Sequence, residues 1–69
     1  MNLILAILLY FQSVSTGQSY TWEQINEIIA SQQQNIENVQ LDQQQLLQIE
    51  QDYGEQASLI DIKNRPQGY

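Results

Sequence analysis

Thr21 to Asp52, TWEQINEIIASQQQNIENVQLDQQQLLQIEQD, is the stretch whose reading decides the fold. Thr21 has Gln24 three residues on, the spacing of a capping box. Tyr20 and Ile25 stand at the two positions of a hydrophobic staple, and Glu23 falls in the first turn, where the helix dipole favours an anion. These signals converge on a helix whose first residue is Trp22. No Gly or Pro follows until Gly54, so the spacing predicts one helix over 21–53, glutamine-rich and acidic. With Trp22 at position a of a heptad, nine of the twelve a and d positions between Trp22 and Ile60 are apolar. This predicts a coiled-coil-like seam with Trp22, Ile25, Ile29, Ile36, Val39, Leu46 and Tyr53 as its partner-binding residues.

The seam carries two glutamines, Gln32 and Gln43, and apolar residues also occur off it at Ile28, Leu41, Leu47 and Ile49. A buried amide fixes register in a coiled coil, whereas an exposed one marks where the seam opens; both readings stand for Gln32 and Gln43. The extra apolar residues make the face wider than a two-stranded zipper needs, which points to a bundle or to docking on another protein. The runs QQQ at 32–34 and 43–45 lie eleven residues apart, three helical turns, and are read as parts of the helix rather than as low-complexity sequence.

Before this stretch stands LILAILLYF, Leu3 to Phe11, within an apolar segment over 1–14. Counted from Leu3 to Val14, its twelve residues as a helix span about 18 Å, against roughly 30 Å for a bilayer core. The length suits the hydrophobic part of a secretory signal, and Ser15-Thr16-Gly17 offers small residues for a cut after Gly17, but no Lys or Arg precedes the apolar block. The alternative is a retained membrane anchor, or a plug in a protein socket, with Leu3, Ile4, Leu5, Ile7, Leu8, Leu9, Tyr10 and Phe11 as the buried residues; retention is the reading adopted. Residues 15–20 form a linker with Gly17 as its flexible point. Gly54 is read as the helix stop, and 54–69 as a short helix from Glu55 to about Ile62, or a short extended piece, followed by a polar tail that Pro66 keeps out of helix.

Composition narrows function by exclusion. The 69 residues hold no Cys and no His, so there is no disulfide, no thiolate or imidazole ligand and no imidazole base. All eight acids lie between Glu23 and Asp61, and the only cations are Lys63 and Arg65, for a net charge of −6. An acidic chain of this kind is repelled by nucleic acid and by anionic headgroups. No nucleophile has a base to activate it, and Glu23 with Glu27 is a carboxylate pair lacking further ligands. The expectation is therefore no catalytic residue, no metal site, no cofactor and no small-molecule substrate. Chains below roughly 70 to 80 residues seldom hold more than about 3–5 kcal/mol in their own core, so burial is expected from self-association, a larger assembly or a membrane.

The predicted class is all-α: an N-terminal apolar helix, a linker, one long amphipathic helix and a short C-terminal helix or extended tail, not an independent globular domain. The expected function is that of a small structural or assembly protein, membrane-associated or extracytoplasmic, and the alternative is a secreted helical binding peptide released near Gly17. Scarce lysine with abundant Gln, Ile, Asn and Tyr resembles the composition of minor virion components. The order of apolar segment, coiled coil, short helix and the ending Arg65, Pro66, Gly68, Tyr69 is similar to the layout of bacterial septum-formation initiators, which implies a bitopic scaffold. That likeness is one of layout: the apolar segment is shorter here and has no basic flank.

Overall fold

The computed structural model describes residues 2–64. Their order is α1 (Asn2–Tyr10), β1 (Ser19–Thr21), α2 (Trp22–Ser31), α3 (Gln33–Gln40), α4 (Gln43–Ala57) and β2 (Asp61–Lys63). The chain is mostly helical, with one small two-stranded parallel sheet in which Ser19 pairs with Asp61, Tyr20 with Ile62 and Thr21 with Lys63. The polar ending from Arg65 onward, on which the septum-initiator layout partly rests, lies outside the described residues.

Helix α1 is the centre of the packing. Leu5, Ala6, Ile7, Leu8 and Leu9 are consecutive and all buried, so the helix is covered on every side. That follows from its composition: a helix without a polar stripe has no face to offer water. It packs chiefly on α4 and also on α3, and shares one buried cluster with Ile25 of α2, Ile36 and Val39 of α3, Ile49 and Ala57 of α4, and Val14 and Ile60 from the connecting segments. The apolar segment thus finds its socket within its own chain, where an external one was expected. Each fully buried Leu or Ile contributes about 1.5–3 kcal/mol as an upper estimate.

The predicted single helix over 21–53 is corrected to three helices. Its start stands as expected: Thr21 is the N-cap, its hydroxyl accepts from Gln24 N at 3.1 Å and Gln24 Oε1 accepts from Thr21 N at 2.9 Å. The first break is at Gln32, whose backbone (φ −108°, ψ 12°) leaves the helical range. Just before it the Ser31 hydroxyl donates to Ile28 O at 2.8 Å, a local bond of the kind that bends helices. The second break is at Leu41 and Asp42; Asp42 is extended and its Oδ1 accepts from Gln44 N at 3.1 Å and Gln45 N at 3.2 Å, an N-cap for α4. Both glutamine runs therefore sit at breaks. A run of three amides has no apolar side chain to hold the chain against the core, and at the second break the Asp42 cap competes with helix continuation.

Breaking the rod is what lets it wrap. A straight helix of 31 residues would be about 46 Å long, whereas the molecule measures 32 × 23 × 23 Å. The breaks bring Ile25, Ile36, Val39 and Ile49 into one core cluster with α1, which a straight seam cannot do.

Three further expectations change. Gly54 does not end α4, which runs to Ala57; the chain after it is still helical, and a Cβ there would make only an ordinary contact with Glu50 Cγ at 3.8 Å. A helix over 55–62 is replaced by the last turn of α4 and by β2, the extended alternative, in which Ile60 is buried and Ile62 half-buried while Asp61 and Lys63 face water. The linker over 15–20 shortens, because Ser19 and Tyr20 belong to β1. The Ser19 hydroxyl donates to Asp61 Oδ2 at 2.7 Å and the Tyr20 hydroxyl accepts from Ser15 N at 2.9 Å, so side chains help to hold a sheet too small to stand alone.

Candidate functional site

Three surfaces are candidates: the socket around α1, the outer faces of α2 to α4, and a groove between α1 and α4. The residues expected to enter a membrane or socket divide clearly. Leu5, Ile7, Leu8 and Leu9 are buried in the core, Leu3, Ile4 and Phe11 are partly buried against it, and Tyr10 is exposed. The Tyr10 ring meets Phe11 edge-on at 5.1 Å and Tyr53 at 6.2 Å between centroids, and its hydroxyl accepts from Gln45 Nε2 at 3.2 Å. Tyr10 thereby caps the apolar layer with a polar edge.

Helix α1 ends in a Schellman motif. Ser13 N donates to Leu8 O at 2.9 Å and Gln12 N donates to Leu9 O at 3.0 Å, with Gln12 in the left-handed position at φ 61°. A side chain at that position costs about 1 kcal/mol relative to a relaxed conformation. The chain then passes through exposed Ser15, Thr16, Gly17 and Gln18 to β1.

Of the predicted seam, Ile25, Ile36 and Val39 are buried, Ile29, Leu46 and Tyr53 pack partly buried against the same core, and Trp22 is half-buried. The structure brings them together, but inward. Gln32 and Gln43 do not meet across an axis: Gln32 Oε1 accepts from Asn35 Nδ2 at 2.8 Å and Gln43 is an exposed first residue of α4. What remains outward is acidic and amide-rich. All eight acids are exposed, and no ion pair joins the described residues. Amides answer two of the acids instead, Gln33 to Glu37 at 3.4 Å and Gln48 to Asp52 at 3.0 Å, each four residues apart. Three large apolar side chains interrupt this shell: Leu41 at 84% exposure, Leu47 at 58% and Leu59 at 69%.

The groove has a volume of about 310 Å³ and is lined by Leu3 and Ala6 of α1 and by Glu50, Gly54 and Glu55 of α4. Among the described residues no group of three His, Cys, Asp or Glu could hold a metal ion, no polar or charged side chain is buried, and no helix is long and apolar enough to cross a membrane.

Comparison of the chain with protein-family models, with curated proteins and with solved structures returned no match.

Leu41 and Leu47, off the predicted seam, are indeed outward, whereas the exposure of Leu59 and the break at Asp42 are what sequence reasoning passed over. Asp42 with Gln45 three residues later repeats the Thr21 and Gln24 spacing that marks the start of α2, so the signal for the start of α4 was present.

Proposed function

We propose that this chain is a small non-enzymatic structural protein that takes its place in a larger assembly by setting its acidic outer helices against the basic surface of a partner subunit. The single observation that carries this reading is charge without counter-charge: eight exposed carboxylates, some held by hydrogen bonds but none in an ion pair among the described residues. A shell of one sign repels itself and is relieved by a partner of the other sign. The exposed Leu41, Leu47 and Leu59 add apolar contact points within that shell. The seam residues are occupied with α1 in this fold, so the partner surface of our reading is the opposite face of the same helices. The composition favours a minor virion component as the setting, membrane-associated or extracytoplasmic.

The test is sedimentation of the full chain from the cells or particles that make it. The expected result is migration with a larger assembly at low salt and release at about 1 M salt, where the Debye length falls to about 3 Å. Recovery at low salt as a free chain of 8.0 kDa overturns the reading.

A second reading, anchoring through α1, draws on the way α1 is held: apart from Tyr10 its described side chains make no hydrogen bond, so they would exchange a protein socket for lipid without leaving hydrogen-bond partners behind. Flotation of the chain with neutral phospholipid vesicles tests it; failure to float overturns it.

A further inference from the structure

We infer that the socket formed by α2 to α4 accepts α1 of a second copy of this chain, so that the protein forms a dimer by exchanging its N-terminal helices. The inference rests on the packing of α1 alone and holds whether or not the acidic shell meets a partner.

Four observations carry it. First, α1 is covered on all sides by its own chain, with Leu5 to Leu9 consecutive in the core, so the chain contains a complete socket and a complete plug as separate segments. A plug from another copy has the same sequence and makes the same contacts, which requires no new complementarity. Second, the described side chains of α1 are joined to the rest of the molecule by one hydrogen bond, Gln45 to Tyr10, and an intermolecular pair reproduces it unchanged. Third, plug and socket are connected by 11–18, a segment exposed from Ser15 to Gln18, where nothing lies within 4 Å of a side chain added at Gly17. Opened out, eight residues reach about 26 Å, more than the 23 Å width of the molecule, so the plug can cross to a neighbour.

Fourth, the folded-back form is strained at its bend. Gln12 holds a left-handed conformation that favours glycine, and the bonds of Gln12 and Ser13 to Leu9 and Leu8 keep it there. Opening the connection releases that strain. Short connections under strain are the sequences that exchange elements, because the contacts of α1 in the socket are equal in the two forms and the difference is confined to 11–18, where the bend at Gln12 relaxes and Val14 leaves the core.

The test is complementation between two full-length variants. Leu8→Asp places a carboxylate in the plug and Ile49→Asp places one in the socket; both positions are buried. Each variant alone is expected to lose helical circular dichroism. Unfolded together and refolded as a mixture, they pair the sound plug of one chain with the sound socket of the other. The expected result is recovery of up to about half the wild-type signal, in a species of twice the 8.0 kDa chain mass. A mixture whose spectrum is the mean of the two separate spectra overturns the proposal. Should either variant keep its fold, the bend decides: Gln12→Gly relaxes it and is expected to lower the dimer fraction of the full chain in light scattering at millimolar concentration. A wild-type chain with no dimer at that concentration, or a dimer fraction that Gln12→Gly leaves unchanged, also overturns the proposal.

Discussion

Helix α1 and the three helices around it answer the same solvent in opposite ways. Helix α1 has no charged residue and no polar face, and five of its residues in succession are buried. Helices α2 to α4 each present a narrow apolar stripe inward, through Ile25, through Ile36 and Val39, and through Ile49 and Ala57, and show carboxylates and amides outward. The difference teaches where stability resides. A helix that is apolar all round cannot exist in water until it is enclosed, and stripes this narrow cannot form a core without something apolar to close on. Neither region folds without the other, so the small core is one cooperative unit.

The comparison is broken most directly in the core. Leu8→Ala is expected to cost about 2–5 kcal/mol, comparable with the whole stability of a chain this size, so urea denaturation or circular dichroism at 25 °C should find it largely unfolded. Leu47→Ala, the same chemical change on the shell, should move stability by less than about 0.5 kcal/mol. Equal losses at the two positions would show that the inside and outside of the molecule are not as described.

A middle-sized effect concerns the break that lets the shell wrap. Asp42→Ala removes the oxygen that accepts from Gln44 N and Gln45 N, and should lower stability by about 1 kcal/mol in thermal or urea unfolding. Comparable and opposite in sign, Gln12→Gly should raise stability by up to about 1 kcal/mol by relaxing the left-handed bend. Gly54→Ala should add about 0.5–1 kcal/mol, since a Cβ there meets only Glu50 Cγ at 3.8 Å.

The smallest effect lies on the outer face of α2. Glu23 and Glu27 are exposed and four residues apart, so Glu27→Lys converts repulsion into attraction. It should stabilise by roughly 0.5 kcal/mol at low salt and by less in 1 M NaCl; a gain that salt leaves untouched would mean that shell charge is not its cause.

The residues that announced themselves were those whose structure depends on near neighbours. The start of α2 at Trp22 was legible because a capping box closes within four residues. Asp42 was equally local and could have been read the same way. The kink at Gln32 was harder, because Ser31 and Gln32 are acceptable helix residues and only the absence of an apolar anchor in the amide run distinguishes the place. Gly54 misled for the reverse reason: glycine commonly ends a helix, but here a further turn places Ala57 in the core.

From the sequence alone follow the helical character, the position of the first cap, the charge-free N-terminal block and a chain equipped with neither Cys nor His. Each of these depends on composition or on contacts within about one helical turn. What only the tertiary structure decided is that the block is covered by its own chain, that the long helix bends twice to cover it, and that Ser19 to Thr21 pairs with Asp61 to Lys63, partners 42 positions apart. The apolar stripe of 21–53 fits a neighbouring molecule or α1 equally well in periodicity. The choice between them is made by the packing of side chains remote in sequence, which no local spacing records.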